Sequence, residues 1–168
     1  MGAFIFAQKE KRDMALAGLS TLGIGLKYAV ETTAGVAPST GYVTLTRINQ
    51  IGGISQDTEQ IDASALEDTS SQYIAGRADT GGKIPISVNI TPDTIDEWQT
   101  LISAYNTAHA SNKQMYFQVT SAGLGGDSFF FIGEPPQNIP MPESSQNELW
   151  VVEIPIAVVN YIGIDTAV

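Results

Sequence analysis

The chain has 168 residues, 43% of them hydrophobic, which gives one domain enough apolar material for a core, and no uninterrupted apolar run approaches the roughly 20 residues of a transmembrane helix. It contains no cysteine, which excludes disulfides, thiolate metal sites and thiol catalysis. The net charge of −10 is uneven: residues 1–50 hold five basic and three acidic residues, the other 118 three basic and fifteen acidic, and so acidic a body disfavours binding to nucleic acid phosphates.

Residues 1–22 read as an arm in front of a domain spanning 23–168. The arm holds the apolar triplet Phe4-Ile5-Phe6, a charged patch with Lys9, Lys11 and Arg12, and a run of small residues. A basic patch before an apolar run is also how an export signal begins. The aromatic triplet ahead of the charges, the acids among them and the scattered Gly and Ser argue against that reading.

In Ile24 to Glu31, Ile24, Leu26, Tyr28 and Val30 alternate with Gly25, Lys27, Ala29 and Glu31, which predicts a strand with one buried face. Thr32 to Gly41 is a loop. The β-branched segment Tyr42 to Ile48 predicts a second strand, ended by Gly52-Gly53. Residues 50–82 then form a long polar excursion, extended from Ile54 to Ile61 and poor in large apolar side chains. It cannot bury enough surface by itself to offset the entropy of ordering. Such a stretch, joined through Gly81-Gly82 to a firm strand, reads as a loop ordered against a partner. In that strand, Lys83 to Ile90, the residues Ile84, Ile86, Val88 and Ile90 share one face.

The strongest helix signal follows, over 92–110. Thr91 can cap it, Pro92 suits its first position, and Asp93, Asp96 and Glu97 complement its dipole. Ile95, Trp98, Leu101, Ile102 and Tyr105 recur at helical spacing, a stripe read as core packing. His109, the only histidine, sits near the helix end as a surface residue. Further strands are predicted at Gln114 to Thr120, at Ser128 to Gly133 (apolar on both faces) and at Asn147 to Asn160, where Pro155 implies an edge or a bulge. One helix among about seven strands at hairpin-like spacing predicts a mainly β fold: an antiparallel sandwich or partly closed barrel with one flanking helix.

The residues offer little chemistry. One His and no Cys leave no acyl-transfer triad or zinc site, and the adjacent pairs Glu67-Asp68 and Asp96-Glu97 point apart. Asp57, Glu59 and Asp62 lack the spacing of a calcium loop. Gly123 to Gly126 lacks the lysine of a phosphate loop. A non-enzymatic protein without cofactor or metal is expected.

The order of parts resembles the major tail protein, or tail tube protein, of long-tailed bacteriophages. Ile61-Asp62-Ala63-Ser64 and Gly76-Arg77-Ala78-Asp79-Thr80-Gly81 are similar to the family's ID-x-[ST] … G-x-x-D-x-G segment, and Phe131-Ile132-Gly133 to its F-x-G strand. The resemblance covers about residues 42–160. It implies a β-sandwich assembled as hexameric rings that stack into a tube, with strands of adjacent subunits joined around a lumen. Partners would be other copies, the tape measure protein, the tail terminator and tail tip proteins, and double-stranded DNA passing without specific binding. The protein would be made in the host cytoplasm and end in the virion, with no membrane step. Contacts between rings or subunits are expected at Ile61, Asp62, Leu66, Tyr73, Ile74, Arg77 and Asp79 and at Phe4, Ile5 and Phe6. Asp57, Glu59 and Asp62 are expected at an acidic lumen that repels phosphates. The rival readings are an exported adhesin or pilus-type β-domain, and the tube protein of a contractile or type VI secretion machine.

Overall fold

A computed structural model describes residues 18–166. Phe4, Ile5, Phe6 and the basic patch of the arm lie outside the described residues. The elements in chain order are β1 (Gly25–Val30), β2 (Val43–Leu45), β3 (Ile48–Ile51), β4 (Asp57–Asp62), β5 (Tyr73–Asp79), β6 (Lys83–Asn89), α1 (Pro92–Ala110), β7 (Met115–Thr120), a short 3-10 turn (Ala122–Leu124), β8 (Asp127–Glu134) and β9 (Val151–Thr166). Seven strands make one antiparallel sheet in the order β2-β1-β7-β8-β9-β6-β3, and β4 and β5 pair only with each other. Among the described residues the fold is mainly β with one α-helix, as the sequence predicts.

The predicted strand Tyr42 to Ile48 is in fact two strands on opposite edges of the sheet. Six strand spacings of a flat sheet measure about 29 Å, yet Leu45 and Ile48 are joined by only two residues, which span about 10 Å at most. The sheet must therefore curl until its edges approach each other, and it stays open because β2 and β3 do not pair. The break has a local cause. Arg47 adopts a left-handed conformation at φ 55°, and the Thr46 backbone N–H and hydroxyl both donate to the Glu97 carboxylate of α1, at 2.9 and 2.8 Å.

The helix covers the inner face of this curl. Thr91 caps it through a reciprocal pair of bonds with Thr94, and Pro92 sits at its start, as expected. Trp98, Leu101 and Ile102 are buried against Leu26, Tyr28, Ile84, Ile86, Val88, Phe117, Phe131, Ile154 and Ile156; Ile95 and Tyr105 are half-buried. The alternation in β6 holds for Ile84, Ile86 and Val88. β8 is buried on both faces, with Phe131 inside and Phe130 outside, where the Tyr42 ring meets Phe130 edge-on at 6.1 Å.

One expectation is met and one needs correction. Pro155 lies in the first half of β9, beyond the end of the β8 ladder at Glu134 and Ala157, so β9 is paired there on the β6 side only and Pro155 sits at a local edge, with no bulge beside it. It faces Pro85 directly across the β6 ladder, a register open to two prolines only as a non-hydrogen-bonded pair. The Pro85 carbonyl turns to the other side, where it accepts from Gly52 N–H at 2.8 Å. The bulges of β9 fall at Val159 and Ile162, where its register with β8 shifts. Glu31, expected on the alternating polar face, is 2% exposed. Its Oε2 accepts from the N–H groups of Gly35 and Gln114 at 3.1 and 3.0 Å, which ties the 32–41 loop to the start of β7.

Two stability effects follow from the packing. A Cβ placed on Gly133 would come within 2.7 Å of Ile156 Cγ2 and 3.2 Å of the Ala157 carbonyl. Gly133→Val should therefore cost about 1–3 kcal/mol by overpacking, read from the urea midpoint. Tyr28, Tyr42, Tyr105 and Tyr116 are all held above the ordinary 10.0, chiefly by burial and secondarily by neighbours such as Glu97 beside Tyr28 and Glu31 beside Tyr116. Above pH 10 the unfolded chain loses protons that the folded chain keeps, so their contribution is present below pH 10 and lost as pH rises beyond it. A urea midpoint at pH 11 should fall below that at pH 8; an equal midpoint would contradict this.

Candidate assembly surfaces

The excursion 50–82 contains the β4–β5 hairpin, ordered by its own pairing. It stands clear of the body: Gly76 is half-buried and every other residue of the two strands is exposed. Its flanks are tied to β9 by Gln56 Nε2, which donates to the Tyr161 carbonyl at 3.4 Å, and by the Gly82 carbonyl, which accepts from Val158 N–H at 2.7 Å. The tip is built from side-chain bonds to backbone. Asp62 Oδ1 accepts from the Ser64 N–H and hydroxyl at 2.9 and 2.5 Å, Gln72 N–H donates to Ser64 Oγ, and Ala65 N–H donates to Asp68 Oδ2. The two bonds from Ser64 hold the Asp62 carboxyl below its usual range.

The predicted contact residues come together here, apart from the triplet in the arm. Ile61 faces Ile74 and Asp62 faces Tyr73. Ile61, Ile74 and Tyr73 are about half exposed, and Leu66 at the tip is wholly exposed. Between Thr58 and Gln60 the register slips, so that Gly76 and Arg77 together oppose Glu59. Gly76 is required at that slip, since a Cβ would lie 2.9 Å from the Glu59 carbonyl.

The predicted lumen residues divide. Asp57 and Glu59 lie on the face of Ile61, with Asp57 opposite Asp79, a like-charged pair. Asp62 lies on the other face, beside Tyr73. Among the described residues no three acidic, His or Cys side chains are grouped to hold a metal, and no helix is long and apolar enough to cross a membrane.

Two further surfaces escaped the sequence reading. Beyond its pairing with β6, which ends at Ala157, β9 continues to Thr166 with β8 on one side only. This half of β9 exposes Val159, Ile162 and Ile164. At the opposite end of β6, a cavity of about 270 Å³ opens between the start of α1 and the proline-rich segment Ile139 to Pro142. Val88, Ile95, Trp98, Ile139, Met141 and Trp150 line it. Met141 is 92% and Trp150 49% exposed. The one available signal was a methionine between two prolines in a connecting segment, which composition alone reads as loop.

No family model and no curated protein matches the chain. Solved structures do. One is the tail of an empty GTA particle computed with helical refinement and C6 symmetry, which is 15% identical with a TM-score of 0.56 over 90% of this chain and 100% of that one. Another is the tube-terminating cap of the anti-feeding prophage, which is 16% identical with a TM-score of 0.56 over 92% of this chain and 96% of that one. At these identities the likeness is one of fold, and the fold this chain shares is that of protein components of tail-like particles.

Proposed function

We propose that the chain is a structural subunit of a phage-type tail, forming hexameric rings that stack into a tube through which a genome passes. The observation that carries this reading is the β4–β5 hairpin. It is an ordered element that stands off an otherwise complete domain and exposes four large apolar side chains, and an isolated two-stranded hairpin of this kind is marginal in water without a partner. Ile61, Leu66, Tyr73 and Ile74 would bury against the next ring, with Asp62, Arg77 and Asp79 beside them. The single-sided half of β9 supports the lateral contact, because a neighbour's strand would satisfy its open backbone groups and cover its apolar side chains. The shared fold with a tail refined in six-fold symmetry supports the ring number. Acidic side chains such as Asp57 and Glu59 would let DNA slide without adhering, and the tape measure, terminator and tip proteins would be the other partners. The mature location would be the virion, after assembly in the host cytoplasm.

The likeness to a tube-terminating cap favours a second reading, in which the chain closes a tube rather than building one. Electron microscopy of the purified protein over a range of concentrations separates the two. Hollow tubes of variable length are expected of the tube subunit and single rings of a cap. Persistent monomers would overturn both and favour the rival reading, an exported adhesin.

A further inference from the structure

We propose that the cavity between α1 and the Ile139–Pro142 segment receives the N-terminal segment of a second copy in the adjoining ring, with Phe4-Ile5-Phe6 as its anchor. This rests on the tube reading above.

Three features of the molecule select this occupant. The first is chemistry: the cavity is apolar and rimmed by Met141 and Trp150, and the arm offers two phenylalanines and an isoleucine in succession. The second is charge. The charged residues within three positions of any lining residue are all acidic: Asp93, Asp96, Glu97, Glu143, Glu148 and Glu153. Arg47 is the basic residue brought near them, through its carbonyl's bond to Asn89 N–H. The arm carries Lys9, Lys11 and Arg12 just after its apolar triplet, whereas the hairpin tip from Ile61 to Ile74 carries Asp62, Glu67 and Asp68 with no basic residue. Charge thus favours the arm over the hairpin as the element that enters.

The third is reach. Leu19 packs beside Gly123, just past the end of β7. The cavity lies at the other end of the sheet, where β6 ends and β9 begins. Measured along β8 from Ser128 to Glu134 and then along β9 from Ala157 to Val152, because the two bulged residues of β9 add no length, the distance is about 36 Å. The thirteen residues from Gly18 back to Ile5 extend to about 45 Å at most. To enter its own subunit's cavity the arm would have to stay about four-fifths extended along the whole sheet. In a head-to-tail stack, the arm end of one copy meets the cavity end of the next. A segment and a complementary pocket at opposite ends of one molecule make a heterologous contact that propagates without closing, as a tube requires.

The test uses full-length protein. The chain has no cysteine and its two tryptophans both line the cavity. With Phe6→Cys and Met141→Cys combined, oxidised tubes should give a ladder of covalent multimers on a non-reducing gel, while either single variant stops at dimers. In the unmodified protein, assembly should reduce acrylamide quenching of Trp150 at least two-fold. Phe4→Ser with Phe6→Ser should restore the quenching at equal ring content. A bond within one chain, or a ladder from Leu66→Cys with Met141→Cys instead, would overturn the assignment. So would unmodified tubes whose tryptophan is quenched as in the free subunit, and that result leaves the tube reading intact. If neither tubes nor rings form, the tube reading fails and this inference fails with it.

Discussion

Replacing residues 62–77 with a short glycine-serine turn should leave a folded monomer that builds no tubes at concentrations where the parent chain builds them. The body gives up little in this change. The hairpin's strands pair only with each other, their side chains face solvent, and the bond from Gln56 to Tyr161 lies outside the replaced stretch. The thermal midpoint should therefore stay within a few degrees of the parent, since about 1 kcal/mol corresponds to roughly 2–4 °C in a domain of this size. The loss would fall on assembly, because the contacts proposed for Leu66, Tyr73 and Ile74 would vanish from every ring at once and Ile61 would lose its partner Ile74. Tubes seen by electron microscopy for this variant would sink the stacking role of the hairpin. A midpoint lowered by tens of degrees would instead mean that the hairpin supports the body.

The second large effect belongs to the core. Trp98 is the largest fully buried side chain and is 1% exposed, wedged between α1 and the curled sheet. Trp98→Ala should cost about 3–5 kcal/mol, the transfer of the indole plus the void it leaves. The adjoining cavity favours the upper part of that range, because the residues around it have a neighbour missing already and collapse poorly. Against a typical domain stability of about 5–15 kcal/mol, such a loss places the folded population at risk near body temperature. Urea unfolding with an unchanged slope measures it. Trp150→Ala, at the half-exposed rim, serves as the control and should change stability by about 1 kcal/mol or less. Equal effects of the two substitutions would mean that Trp98 is not the keystone of the helix–sheet contact.

Much of this architecture was legible because its signals are local. The alternation of Ile84, Ile86 and Val88, the Thr91-Pro92 start of the helix and the doubly apolar run of β8 each rest on a few adjacent residues. What escaped depends on partners far away in sequence. Thr46 and Arg47 break a β-branched run because Glu97, 51 residues on, captures the Thr46 backbone. Glu31 is buried because Gln114, 83 residues on, needs an acceptor. Pro155 was legible as an edge residue, but its pairing with Pro85, 70 positions earlier, was not. In the hairpin, the residues expected at contacts lie together, and simple alternation along β4 already sets Asp57 and Glu59 on one face and Asp62 on the other, whereas the register slip at Gly76 depends on the pairing with β5 and was not legible. Of the rim residues, Met141 offered only its place between two prolines and Trp150 nothing, since their exposure is a property of the packed loop and not of their spacing.

The position of β9 has a consequence for biosynthesis. Of the nine strands among the described residues it is the last to leave the ribosome, and it is the one that fits between β6 and β8. From Asn89 at the end of β6 to Val151 at the start of β9 lie 62 residues, about 3–12 s of translation at typical rates. Through that interval β6 waits without the neighbour that completes it, and the sheet cannot close. A chain interrupted before β9 therefore presents the unpaired edges of β6 and β8, which are templates for pairing with other chains.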